Sequence, residues 1–390
     1  MVTRDLLPEL RAAAGEYPVV TLVGPRQSGK TTLAQRAFPA KPYRSLEDPD
    51  VRAWAQQDPR GFLAGLQGGG ILDEIQRTPE LLSYLQTHVD RQRGSGQFIL
   101  TGSHQPEVHH AVAQSLAGRT AMLTLLPFSL RELRHYRKRW TAFELVVCGT
   151  FPGVHENRLD PARFFNSYVQ TYLERDVRAL IHLKDLRRFQ QFMTLLAGRV
   201  GQLLNYSSLA NDLGVSANTI KDWIGVLSAS YVIFELPPYF ENINKRVIKA
   251  PKVYFTDAGL AAHLAGLRTL GQVERDPLRG GLYENWVIAE VLKSQTNRGL
   301  KPELFFYRDS HGNEVDLLVR HAGKLRPVEI KSAATFHSDF HVGLARFRET
   351  LGAHVHPGFI IYNGSESARF KGARVFNPLR HDHLDELITD

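Results

Sequence analysis

Residues 24–31 leave this chain little freedom in how its first hundred residues fold. The run Gly24, Pro25, Arg26, Gln27, Ser28, Gly29, Lys30 and Thr31 satisfies GxxxxGK[ST] at every position. An apolar stretch, Val19–Val23, precedes it, and Thr31–Phe38 follows with helical spacing. Each position answers a chemical need. The glycines let the backbone fold so that successive N–H groups converge on an anion. Lys30 brings positive charge to the outer phosphates, and the Thr31 hydroxyl is placed to ligate Mg²⁺. Thr32 lies in the first turn of the helix, whose positive dipole end faces the same anion. A chance match is expected in roughly one chain of this length per hundred. The loop is therefore read as a site for ATP with Mg²⁺.

Such a site needs an acidic partner on a nearby strand. Gly70-Ile-Leu-Asp73-Glu74 supplies one, apolar and then doubly acidic. Asp73 is expected to hold Mg²⁺ through water and Glu74 to polarise the attacking water, which favours hydrolysis over phosphorylation of a small molecule. Phe98-Ile-Leu-Thr-Gly-Ser103-His104 reads as a strand whose polar end sits beside the γ-phosphate, where Ser103 or His104 senses it or caps the next helix. Arg119 is either an arginine finger reaching an adjacent subunit of a homo-oligomer or an ordinary surface arginine. His104, His109 and His110 lack the spacing of a metal site.

The first 130 residues alternate short apolar runs with helical patterns, as a parallel α/β sheet does. Expected strands are 19–23, 43–46, 71–72, 98–100 and 122–126. Residues 207–255 give two short helices across Gly214, the first starting at a serine and the second with Ile220, Trp223, Ile224 and Leu227 on its buried face. A hairpin of 232–236 and 252–255 follows, the plan of a winged helix. Its second helix carries Asn218, Thr219 and Lys221 beside Asp222, and its wing carries Lys245, Arg246, Lys249 and Lys252. That composition suits phosphate contact without base readout, or a packing spacer. The chain has 390 residues, a net charge of +8 and one cysteine, Cys148. These values permit a nucleic-acid partner and point to a cytoplasmic protein without a disulfide framework. No apolar run approaches the ~20 residues that cross a bilayer, so no membrane partner is expected.

These stretches resemble a bacterial and archaeal group of AAA-type ATPases joined to a C-terminal domain of unknown function, itself similar to PD-(D/E)XK nucleases. The matching residues, beyond the loop and Ile71–Gln76, are Leu126–Glu132, Gly149–Pro152, Tyr172–Asp176, Tyr283–Asn285, Asn313–Asp316 and Val328–Lys331. The resemblance implies an α/β chain in three parts. These are a P-loop AAA+ ATPase with a parallel sheet and helical extension (1–196), a winged-helix-like segment (197–270) and a PD-(D/E)XK nuclease-like α/β domain (271–390). The group often has a glycine where this chain has Thr150.

The C-terminal residues carry their own argument. A two-residue turn at Ala322-Gly323 would set Asp316 opposite Glu329 and Glu314 opposite Lys331, with Val315, Leu317, Val328 and Ile330 inward. Facing carboxylates repel unless a cation such as Mg²⁺ or Mn²⁺ lies between them. Lys331 would then position water or stabilise a pentavalent phosphorane, and Glu284 on the preceding helix would add a metal ligand. A solvated strand face is the alternative. The leading expectation is an ATPase coupled to action on DNA, with metal-dependent cleavage by Glu329 and Lys331. The other is an ATP-driven assembly or partner-binding switch whose nuclease-like domain is inactive.

Overall fold

The computed structural model describes residues 2–92, 94–103, 114–173, 185–240, 250–352, 355–381 and 384–389. His104, His109, His110, Lys245, Arg246, Lys249 and the 174–176 part of the Tyr172–Asp176 stretch lie outside them. The chain forms two compact units. One comprises Met1–Phe128, Ala229–Tyr231 and Thr296–Leu300; the other comprises Ser129–Ser228, Val232–Gln295 and Lys301–Asp390.

The first unit is built on strands β1 (Val19–Val23), β2 (Tyr43–Ser45), β3 (Gly70–Asp73), β4 (Phe98–Gly102) and β5 (Thr120–Thr124). They form one parallel sheet in the order β2-β3-β4-β1-β5. β1, β3 and β4 are buried along their whole length, as expected of parallel strands covered on both faces. On one face Phe98, Leu100 and Leu72 pack against Phe62, Leu82 and Leu85 from the helices Pro59–Ala64 and Leu81–Gln92. On the other, Val20, Leu22 and Ile99 pack against Leu10, Leu33 and Ala34 from Leu7–Glu16 and Lys30–Ala37. The last strand ends earlier than its apolar run suggests. Leu125 still donates its N–H to the Val23 carbonyl (2.8 Å), but the Leu126 carbonyl accepts from the Arg4 side chain.

In the second unit, the helix Tyr206–Leu213 starts at Asn205, whose side chain accepts from the Ser208 N–H, and not at a serine. It stops at Gly214, where φ is 63°. The helix Ala217–Ala229 buries Ile220, Trp223, Ile224 and Leu227 as its spacing demands. Strands β6 (Ile233–Leu236) and β7 (Lys252–Phe255) then pair antiparallel.

The larger sheet comprises β8 (Leu304–Arg308), β9 (Glu314–His321), β10 (Lys324–Lys331), β11 (Phe359–Tyr362), β12 (Ala368–Phe370) and β13 (Ala373–Phe376), in the order β12-β13-β11-β10-β9-β8. The β9–β10 turn has positive φ at Ala322 (47°) and Gly323 (75°), and it pairs Lys324 with His321 and Val328 with Leu317. Continued by one residue, this register sets Asp316 opposite Glu329. The polar face is not solvated, however: Asp316 and Glu329 are each only 9% exposed. The helix Val342–Leu351 closes over that face at Gly343, where a Cβ would lie 2.6 Å from the Glu314 carbonyl oxygen and 3.3 Å from Glu329 Oε2.

Two of the sequence stretches singled out above meet in a buried polar network. Asp257 caps the helix Ala258–Leu264 and accepts from the Thr150 N–H (2.6 Å) and hydroxyl (2.7 Å). Lys293 donates to the same hydroxyl (3.1 Å) and pairs with Glu290 (2.7 Å), which accepts the Leu130 N–H (2.6 Å). Thr150→Val keeps the shape but removes the hydroxyl shared by a buried carboxylate and a buried ammonium. It should cost about 1–3 kcal/mol, measured as a lower urea midpoint at unchanged m-value.

Candidate nucleotide and carboxylate sites

The phosphate loop leaves the carboxyl end of β1. Gly24 has φ 147°, and a Cβ there would lie 2.1 Å from the Leu125 carbonyl oxygen, so only glycine fits. Gly29, at φ 92°, caps the helix Lys30–Ala37. Pro25 and Ser28 are buried, Arg26 and Thr31 half-buried, and Gln27 and Thr32 exposed. The Ser28 hydroxyl has no hydrogen-bond partner. Lys30 is 6% exposed, and its ammonium donates to the carbonyls of Gly24 (3.0 Å) and Pro25 (2.8 Å). Burial lowers its pKa to about 8 against the opposing pull of Glu74 and Asp73.

Because β4 lies between β1 and β3, three strand ends converge beside the loop. The Thr31 hydroxyl donates to Asp73 Oδ1 at 2.8 Å, Tyr43 donates to Oδ2 at 2.9 Å, and Thr101 donates to Oδ1. Burial, then Asp73, pushes the Tyr43 phenol up to about 12. Glu74 adopts a left-handed conformation (φ 57°), which costs a non-glycine residue about 1–3 kcal/mol and is typical of functional positions. Ser103 donates to Glu74 Oε2 at 3.2 Å, and Gln76 donates to Ser103 at 3.1 Å and to the same Glu74 oxygen. Ser103 thus touches Glu74 directly. The hydroxyl–carboxylate pair, the buried ammonium and the unpartnered Ser28 hydroxyl suit a Mg²⁺-bound triphosphate.

Sequence reasoning missed Tyr43, Thr101, Gln76 and Arg4. Arg4 is 7% exposed, donates to the carbonyls of Ser28 (2.6 Å) and Leu126 (2.7 Å), and lies over the Phe128 ring. It braces the loop from behind, and nothing in its local sequence signals this. Arg119 sits at the amino edge of the sheet, where its carbonyl accepts the Val19 N–H. Its guanidinium forms a two-pronged pair with Asp90 (2.6 and 2.9 Å), at the end of the sheet opposite its own phosphate loop.

The second cluster joins β7, β9, β10 and the helix Arg279–Thr296. Lys331 contacts Glu329 Oε1 at 2.6 Å and Asp316 Oδ2 at 3.3 Å, and Asp316 also accepts the Ile330 N–H at 2.7 Å. Glu284 accepts from Lys252 (3.2 Å) and from the Tyr254 hydroxyl, and Lys252 also pairs with Glu314 (2.6 Å). Lys252 is therefore not a solvent-facing wing cation: it is 4% exposed and held by two carboxylates. Burial alone would lower its pKa, but Glu284, Asp316 and Glu314 raise it overall. Glu329 is pushed up to about 8, first by burial and then by Asp316, against Lys331. Its Oε2 is buried without a partner.

Four carboxylates thus share two ammonium groups and the Arg308 guanidinium, which lies 3.7 Å from Glu314, and the orphaned Glu329 oxygen suits a proton or a cation. Asp316 and Glu329 fit a divalent ion in this respect. Glu284 is already held by Lys252 and Tyr254, and among the described residues no group of three or more His, Cys, Asp or Glu is arranged to hold a metal. The expected three-carboxylate metal set differs from this arrangement because lysine ammonium groups stand against the carboxylates.

A parallel sheet with a GxxxxGK[ST] loop after β1 and an acidic pair ending β3 defines a P-loop ATPase of the AAA+ class. Residues 16–134 match an AAA domain, 139–271 a domain of unknown function (DUF8612) and 279–381 another domain of unknown function (DUF4143). The chain is 32% identical over 336 residues to the uncharacterized protein Rv2008c of Mycobacterium tuberculosis, covering 85% of this chain and 74% of that protein. It belongs to the same family as that protein. An uncharacterized Haemophilus influenzae protein is 23% identical over 248 residues, covering 60% of this chain and 58% of its own. The Walker-type ATPase of Pyrococcus abyssi overlays with a TM-score of 0.43 at 15% identity, covering 67% of this chain and 94% of its own. Among the described residues no helix is long and apolar enough to cross a membrane.

Two outcomes are expected. A bound triphosphate favours the charged Lys30, so ATP binding should take up a proton near pH 8. Affinity should then fall about tenfold between pH 7 and 9, measured by calorimetry in buffers of differing ionisation enthalpy. Lys252→Met leaves the buried Glu284 with no cation, while Glu314 keeps Arg308 at 3.7 Å, and should destabilise the fold by about 3–5 kcal/mol at neutral pH and by less in acid, where Glu284, whose pKa burial raises, is neutral, measured by denaturant unfolding.

Proposed function

We propose that the chain couples Mg²⁺-dependent ATP hydrolysis to action on DNA, its C-terminal carboxylates serving metal-dependent phosphodiester cleavage. The observation that carries the ATPase half is the contact of Thr31 with Asp73 beside a left-handed Glu74. Thr31 and, through water, Asp73 would hold the ion, Lys30 and the loop amides would hold the phosphates, and Glu74 would orient the attacking water and accept its proton. Mg²⁺ neutralises charge on the phosphate oxygens when bound. Ser103 and Gln76 fix the Glu74 carboxylate, and Arg119 serves a neighbouring subunit of a homo-oligomer.

For the C-terminal half, support comes from the pairing of Asp316 with Glu329, the orphaned Glu329 oxygen and the adjoining Lys331. The helices 206–213 and 217–229 with the β6–β7 pair follow the order of a winged helix, which supports a nucleic-acid partner. Net charge of +8 agrees with that partner. Mg²⁺ or Mn²⁺ would be held by Asp316 and Glu329, with Glu284 behind them. A second reading is favoured by the lysines standing against these carboxylates. In it, ATP drives assembly or partner binding and the C-terminal domain does not cut.

A paired assay separates the two. Glu74→Gln should slow ATP hydrolysis by about 10²–10³-fold while keeping ATP affinity. Cleavage of single- or double-stranded DNA with Mg²⁺ or Mn²⁺ should vanish in Lys331→Ala. If wild type cuts no DNA under any metal, while Lys30→Ala abolishes both the ATPase and a partner interaction, the switch reading holds.

A further inference from the structure

The second unit contains a cleft of about 890 Å³ that neither the nucleotide loop nor the carboxylate cluster uses. Its floor is topologically specific. Ser332 and Ala334 follow β10, Asn363 follows β11, and Asn377 and Arg380 follow β13, three strands that run parallel to one another. The cleft therefore opens at their carboxyl ends, where parallel sheets present loops to ligands. Lys331 is the last residue of β10, and the chain passes directly from it into the cleft wall.

The opposite wall comes from Lys138, Arg139 and Trp140, before the helix Ala142–Cys148, and from Arg279. Four cations line the cleft, Lys138, Arg139, Arg279 and Arg380, against one acid, Glu274. None of the four forms a salt bridge among the described residues. Arg279 contacts only the Glu274 carbonyl oxygen (3.4 Å) and lies over the Phe143 ring (5.9 Å). Asn363 and Ser332 have no side-chain hydrogen bond among the described residues. Like charges gathered without counter-charge repel one another, and a ligand that repeats negative charge relieves that repulsion.

We propose that this cleft binds a single-stranded nucleic-acid segment through its phosphates. The proposal rests on the reading that the chain acts on DNA, and it assigns the strand-holding surface beside Lys331. The volume exceeds what one phosphate fills. Duplex DNA is a stiff rod, whereas a single strand can bend so that successive phosphates follow the curve of a concave site.

The test uses the full chain with EDTA present and a fluorescein-labelled oligonucleotide of about twenty thymidines, followed by anisotropy. The double variant Arg139→Glu with Arg380→Glu should bind at least tenfold more weakly. Its log–log salt slope should be shallower by about 1.4, two contacts at ~0.7 each. Urea unfolding followed by intrinsic tryptophan fluorescence, with midpoint and m-value equal to wild type, shows that the variant folds; if it does not, the pair Arg139→Gln with Arg380→Gln replaces it. If the variant binds like wild type, the cleft assignment is wrong while the DNA reading stands. Should wild type bind neither single strand nor duplex at low salt, both fall. Displacement of the strand by submillimolar inorganic phosphate or ATP would identify a small-anion site and overturn the strand assignment, as would equal affinity for duplex.

Discussion

The hydrogen bond from Thr31 to Asp73 ties the helix that follows β1 to the end of β3, a strand that is not a neighbour of β1, and the nucleotide site is organised around it. β4 separates β1 from β3, so the contact exists only if all three strands hold their register and end at the same level. Thr101, at the end of β4, donates to the same carboxylate, and Tyr43 reaches its other oxygen from β2. Three strands and the helix after β1 therefore meet at one side chain. A shift of one residue in β2, β3 or β4 would turn its contributing side chain to the other face of the sheet. The apolar packing on both faces is what prevents such a shift, so the core and the site are one construction.

The two polar clusters solve opposite electrostatic problems. In the phosphate loop a single buried ammonium is left among backbone carbonyls, and burial weakens its hold on its proton until an anion arrives. In the carboxylate cluster, acids outnumber ammonium groups, and burial pushes Glu329 towards its neutral form. Buried ion pairs seldom stabilise a fold more than well-packed apolar residues would. The unpaired ammonium of the loop and the ion pairs of the carboxylate cluster, each beside an orphaned buried oxygen, are better explained by ligand chemistry than by stability.

What the sequence disclosed follows the range of the forces involved. Local chemistry was legible: the loop glycines, the acidic pair after β3, the Ile220–Leu227 face and the tight turn at Ala322-Gly323 that sets the β9–β10 register. Long-range partners were not. Arg4, Tyr43 and Thr101 reach the nucleotide site from distant positions, and no periodicity marks them. The alternation in β9 and β10 was visible, but alternation reports a solvated face only where no helix covers it. Val342–Leu351 covers this one by way of Gly343, a glycine with no distinguishing local context. Lys252 misled for the same reason, since a lysine beside a basic wing looks solvent-facing until the carboxylates packed against it are known.

Lys252 also shows that the boundary between matched domains does not bound the chemistry. Lys252 and Tyr254 fall within the 139–271 match, whereas Glu284, Glu314, Asp316, Glu329 and Lys331 fall within 279–381. Of the three cations that pair with the carboxylates of the second stretch, Lys252 comes from the first, and it is the one that pairs with Glu284. Without Lys252, residues 279–381 would leave the buried Glu284 carboxylate with no cation, which a folded chain avoids by protonation or by opening. The electrostatic unit in this half of the protein is therefore the β7 strand together with the β9–β10 hairpin and the helix Arg279–Thr296.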